Sequence, residues 1–162
     1  MAHAFALLHK EYPEYCLRII GDTLNEEGVL VQKELEKDIQ RLGIQECVEF
    51  LPFSKYVHEE ILKDGMYVNS SDYEGMSNAM LEAMAIGLPV LCTDCPIGGA
   101  RAIIEDEKNG LLVPVGDVDR LYQAMKQIVE DKELADRLSS NAVLIREELS
   151  LENIAKKWME LV

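Results

Sequence analysis

The chain has 162 residues, 48% hydrophobic and 28% charged, a balance that excludes a disordered or fibrous class and fits one folded domain with its own core. Its formal net charge of -14 argues against a nucleic-acid backbone or an anionic membrane surface as partner, because the summed field repels both. Any phosphate bound here must be held by local donors.

The opening MAHAFALLHK reads as helix and lacks the charged, apolar and small-residue regions of a secretory leader, so the chain is expected to begin inside an element. Short apolar runs then alternate with amphipathic stretches, the pattern of repeated βα units feeding a parallel sheet. The strand candidates are residues 15–20, 47–51, 66–69, 89–92 and 110–113, each short as a buried parallel strand should be. Between the first two, Val31, Leu35, Ile39 and Leu42 recur at helical spacing and Gly43 supplies a stop. The nearly apolar run 83–92 is broken by Gly87 and Pro89 and is too short to cross a bilayer, so no direct membrane insertion is expected. Val118, Leu121, Tyr122, Met125, Ile128 and Val129 mark a later helix, 134–149 another, and Leu151, Ile154, Ala155, Trp158 and Leu161 a last one. The expected fold is α/β: a Rossmann-like parallel sheet with helices on both faces, reached by right-handed crossovers, and a helical C-terminal tail. No linker or repeat divides the chain, so residues 1–162 are expected to form a single domain.

Cys16, Cys47, Cys92 and Cys95 are irregularly spaced and mostly in apolar surroundings, which suits a reducing cytoplasm. Cys92 and Cys95 form a C-x-x-C match, but no second ligand pair completes a zinc site, and Cys92 ends a strand where a redox pair needs a helix N-terminus.

The stretch SSDYEGMSNAMLEAMAIGLP, residues 70–89, carries the most chemistry. A strand ends, Gly75 permits a tight turn, and a helix begins near Ser77. The free amides of Met76, Ser77 and Asn78 point towards the sheet's C-terminal edge, where open α/β sheets bind ligands, so an anion can be held without a basic side chain. The helix over 77–86 is apolar almost all round and is expected to be buried beside the sheet, with Glu82 its one carboxylate. Such a charge needs a partner, such as a pair of ligand hydroxyls, unless it faces solvent. Glu74, before the turn, can accept from neutral hydroxyls.

Glu74 and Glu82, seven residues apart in EGMSNAMLE, resemble the Glu-x7-Glu signature of the family 4 retaining glycosyltransferases, whose architecture is the two-domain GT-B fold. The likeness runs along nearly the whole chain in family order, through AFALLHKEYPEYCLRIIGD, VEFLPF, YVNSSDYEGMSNAMLEAMAIGLPVLCTD and CPIGGARAIIEDEKNGLLVPVGD. This resemblance implies the C-terminal half of a GT-B enzyme, binding a nucleotide-diphosphate sugar of the UDP or GDP type. Glu74 would contact hydroxyls of the transferred sugar and Glu82 the ribose, while the amides of Gly75, Met76, Ser77 and Asn78 would meet the diphosphate or sugar. Gly21 resembles the family glycine that lets the nucleotide approach closely, and the loop at Pro52 and Phe53 would meet the base. Other implied partners are an N-terminal acceptor-binding domain, absent from this sequence, and a glycan or lipid-linked acceptor. No cofactor or metal is implied. The Arg and Lys that the family carries after its first strand would precede Met1. The chain alone is therefore expected to be inactive.

Ala102 stands where many relatives carry Glu, and Arg101 beside it is open as a phosphate contact. Asp117-Val118-Asp119 matches a metal motif of a different glycosyltransferase architecture; Asp117 reads instead as a helix N-cap. The alternative functions are a non-catalytic nucleotide-sugar-binding module and a GT-B epimerase, although no acid and base set for epimerisation is evident.

Overall fold

The computed structural model describes residues 1–21 and 26–160. Leu161, assigned above to the last helix, lies outside the described residues. Helix α1 (Ala2–Glu11) leads into strand β1 (Leu17–Ile20), helix α2 (Glu26–Leu42) and strand β2 (Val48–Leu51). Helix α3 (Val57–Glu60), strand β3 (Tyr67–Asn69), helix α4 (Asn78–Ala85), strand β4 (Val90–Thr93), helix α5 (Gly99–Ile103) and strand β5 (Leu111–Val113) follow. The chain continues through helices α6 (Val118–Glu130), α7 (Lys132–Ala142), α8 (Ile145–Glu148) and α9 (Leu151–Met159). All five strands fall within the stretches that periodicity selected, β4 running one residue further, and the architecture is α/β with helices on both sheet faces.

The strands pair in parallel throughout, in two hydrogen-bonded sheets: β1 with β2, and β3 with β4 with β5. The chain divides correspondingly into two compact units. The first comprises Met1–Val57 and Val118–Gln123. In it α1 packs on α2, burying Ala4, Phe5 and Leu8 from one and Ile39 from the other. Gly43 takes a φ of 70°, the left-handed turn that ends α2 as expected.

The second unit comprises His58–Asp117 and Ala124–Val162. Its middle strand β4 is buried at all four positions, the continuous apolar run of a strand covered on both faces. Against it lie Met80 and Met84 of α4 and Leu134 and Leu138 of α7, all fully buried. Each such side chain contributes about 1.5–3 kcal/mol by leaving water.

The expected helix over 134–149 is two elements, α7 and α8. Ser139 and Asn141 direct their side chains away from the helix, to the Gly87 and Lys108 carbonyls, and the chain tightens to an i→i+3 bond from the Leu144 amide to the Asn141 carbonyl at 3.2 Å. The C-terminal stretch is therefore a tail only in its last part. Leu134, Leu138, Ala142 and Ile145 belong to the core, whereas α9 has no buried residue.

Candidate functional site

Strand β3 ends at Asn69, and the chain leaves the C-terminal edge of the sheet through an Asx turn in which the Ser71 amide donates to Asn69 Oδ1 at 3.1 Å. The same side chain turns its amide nitrogen to Glu74, with Nδ2 donating to Oε2 at 3.3 Å. The Ser71 hydroxyl stands 2.8 Å from Glu74 Oε2 and 2.7 Å from Asn69 Oδ1, and its single proton serves one of them at a time. Glu74 is thus a half-buried carboxylate with one oxygen tied to the turn that carries it. Two groups from the β4 side fasten the backbone of this turn: the buried Thr93 hydroxyl donates to the Ser71 carbonyl, and the Cys95 thiol donates weakly to the Glu74 carbonyl at 4.0 Å.

Ser77 caps α4, its hydroxyl accepting from the Met80 amide at 3.3 Å. Among the described residues, the amides of Gly75, Met76, Ser77, Asn78 and Ala79 donate to no protein acceptor. They form the partly positive end of the helix. The turn is pressed from behind by Gly99 at the start of α5, where an added Cβ would overlap the Gly75 carbonyl and lie 2.8 Å from the Met76 nitrogen.

The helix α4, expected to be buried beside the sheet, is buried on one face, and Glu82 takes the solvent-facing alternative. Met80, Ala83 and Met84 are buried, but Asn78, Ala79 and Glu82 are exposed and share one sector of the helix. The small side chain of Ala79 hides that sector in a sequence of mostly apolar letters. Glu82 accordingly bears no burial penalty and faces outward one turn beyond Asn78. Its carboxylate and that of Glu74 both act on Tyr67 of β3. The Tyr67 phenol is pushed up to about 12, first by burial and then by the Cys92, Glu74 and Glu82 charges, against a lowering hydrogen-bond effect of Ser77. Both acids thus fall within electrostatic reach of one phenol. Burial also pushes the Cys92 thiol up to about 12, so the C-x-x-C pair holds no ready thiolate at its first member.

Arg101 forks onto Asp94, Nε donating to Oδ1 at 2.7 Å and the terminal nitrogen pairing with the other oxygen. Ala102 is exposed on α5. Asp117 immediately precedes α6, as the N-cap reading requires. No cluster of three or more His, Cys, Asp or Glu suited to a metal ion occurs among the described residues.

Gly21 and Phe53 belong to the first unit. Gly21 follows β1 and extends the pairing, its amide donating to the Leu51 carbonyl at 3.0 Å, while exposed Phe53 follows β2, so both stand at the C-terminal ends of paired strands. Among the described residues no atom lies within 4 Å of a Cβ built on Gly21. Among the described residues, packing does not require glycine there. The residues that sequence reasoning missed are Asn69, Ser71, Thr93, Tyr67 and Gly99. Only the Asn-Ser-Ser run carried a signal, that of an Asx turn.

The family model described as Glycosyl transferases group 1 matches residues 1–144. The poly(glycerol-phosphate) alpha-glucosyltransferase of Bacillus subtilis is 27% identical over 155 residues, 96% of this chain and 22% of that protein. The crystal structure of Anabaena HepE in complex with UDP-glucose superposes with a TM-score of 0.86 at 26% identity, covering 99% of this chain and 43% of the other. The C-terminal domain of a group 1 glycosyl transferase family protein, LpcC from Francisella tularensis, shares the fold at a TM-score of 0.79 and 24% identity, covering 91% of this chain and 76% of that domain. The chain spans less than half the length of the curated relatives it matches, 41% of an uncharacterized glycosyltransferase of Haemophilus influenzae and 22% of the Bacillus subtilis enzyme.

Proposed function

Because the chain belongs to the group 1 glycosyl transferase family, we propose that it is the donor-binding half of a two-domain retaining glycosyltransferase. The observation that carries the reading is the head of α4, where five amides without an acceptor among the described residues follow an anchored Glu74 and precede an outward-facing Glu82. The amides of Gly75, Met76, Ser77 and Asn78 receive the diphosphate or the sugar, which is how a strongly acidic chain holds a phosphate without a basic patch. Glu74 accepts from hydroxyls of the transferred sugar and Glu82 from those of the ribose. Gly21 admits the nucleotide closely, and the loop at Phe53 meets the base. HepE, with UDP-glucose bound, favours a UDP-type donor.

The reaction is transfer of a glycosyl group to a glycan or lipid-linked acceptor, which an N-terminal GT-B domain would hold. Preorganised amides suit the charge that develops on the departing diphosphate. No metal or other cofactor takes part, and the protein works in the cytoplasm, where nucleotide sugars are available. No helix among the described residues is long and apolar enough to cross a membrane.

Calorimetry of the 162-residue chain with UDP-glucose, UDP and a GDP-sugar tests the donor site. Glu74→Gln and Glu82→Gln each remove a charged acceptor and should weaken donor binding by about 1.5–3 kcal/mol, roughly ten- to a hundredfold. Unchanged affinity in the double variant would end this reading. The chain alone should bind weakly and transfer nothing. Joining it to an upstream acceptor domain should restore transfer, with the anomeric configuration of the product, read by NMR, matching that of the donor.

A further inference from the structure

We propose that Asn69 and Ser71 are positioning residues that make Glu74 selective for a single hydroxyl of the donor sugar, an inference that rests on Glu74 being the sugar contact. A free carboxylate offers about four acceptor sites on two oxygens and tolerates many hydroxyl arrangements. Here Oε2 accepts from Asn69 Nδ2 at 3.3 Å and lies 2.8 Å from the Ser71 hydroxyl, whose single proton it shares in turn with Asn69 Oδ1, while Oε1 has no partner among the described residues. The orientation of the Asn69 amide follows from its neighbour. Because the Ser71 amide donates to Oδ1, the nitrogen must face Glu74.

The clamp is local to residues 69–74, so it moves with the end of β3 and not with distant elements. Its backbone is held in turn by Thr93 and Cys95, which donate to the Ser71 and Glu74 carbonyls. One oxygen immobilised in this way leaves one acceptor at a fixed place. A buried or half-buried polar group built to meet a hydroxyl rejects analogues that lack it far more strongly than an apolar pocket rejects an extra group. The clamp therefore acts on the glycosyl part of the ligand and leaves the nucleoside diphosphate untouched.

The test compares the chain's affinity for UDP-glucose with its affinity for UDP, both by calorimetry. Ser71→Ala should reduce the preference for UDP-glucose over UDP by roughly three- to tenfold, the loss of one supporting hydrogen bond, and Asn69→Asp, which turns a carboxylate oxygen towards Glu74 Oε2 in place of the amide donor, by at least as much, with UDP affinity unchanged in both. Ser71→Thr, which keeps the hydroxyl, should retain the preference. In a Glu74→Gln background Ser71→Ala should add nothing further, since the two then act as one unit. If Ser71→Ala and Asn69→Asp keep the original preference while Glu74→Gln loses it, the clamp is wrong and the Glu74 reading stands. A parallel loss of UDP affinity would mean that the pair only supports the fold, which also overturns the proposal. If Glu74→Gln leaves the preference intact, or the unaltered chain binds neither probe, the donor-site reading falls and takes the clamp with it.

Discussion

Gly99 lies against the peptide between Gly75 and Met76 so closely that a methyl group on it would overlap the Gly75 carbonyl. Relief would require moving backbone, not the far end of a flexible side chain. Gly99→Ala should therefore destabilise the protein by about 1–3 kcal/mol, read as a lower urea midpoint. Any folded fraction should bind UDP-glucose more weakly at the proposed donor site, because the displaced peptide carries the Met76 amide at the head of α4.

How much of this was legible in the sequence depends on the range of the interaction. The five strands were, because β3, β4 and β5 are short apolar runs bounded by turn residues. The position of the Glu74 turn was too, since Gly75 and Ser77 mark a turn and a cap locally. The outward sector of α4 was not, because Ala79 is as compatible with a core as with a surface. Nor was the pressure of Gly99 on Gly75, or the reach of Thr93 to Ser71, which join segments far apart in the chain. The division of the strands into two hydrogen-bonded sheets is also invisible to periodicity, which reports burial and not pairing partners.

Ile97 is a β-branched residue with a φ of 74°, and it is 67% exposed. Left-handed backbone costs such a residue roughly 1–2 kcal/mol, and little burial offsets it. Ile97→Asn should raise the urea midpoint, since Asn tolerates this conformation without the entropy of glycine. A midpoint unchanged or lowered would show that the side chain makes contacts worth more than the strain.

Ser77→Ala removes the hydroxyl that caps α4. The expected cost is about 1 kcal/mol for the cap alone. Thermal melting of this variant beside Ser77→Asp, which retains a capping oxygen, separates the lost cap from any steric effect. The Asp variant should melt nearer to the unaltered chain.

Tyr67 and Cys92 both have folded pKa values raised to about 12, from 10.0 and 9.0. Below the lower of these ordinary values both states keep their protons, and the contribution of the two groups is fully present. As pH rises further the unfolded chain releases protons that the folded chain retains, so stability falls progressively until about 12 is passed. Urea midpoints measured from neutral pH to about pH 11 should decline, and Tyr67→Phe with Cys92→Ala should flatten that decline. In the native state Cys16, which is exposed, should react with a thiol reagent well before Cys92.

Helix α7 sends Ser139 to the Gly87 carbonyl and Asn141 to the Lys108 carbonyl, while Leu134 and Leu138 fill the space beside β4. It thereby staples the turn that precedes β4 and the one that precedes β5. Trimming this protein from its carboxyl end is consequently tolerable only as far as α9. Removing α7 would uncap both turns and uncover the middle strand, and the remainder should precipitate instead of persisting as a smaller folded unit.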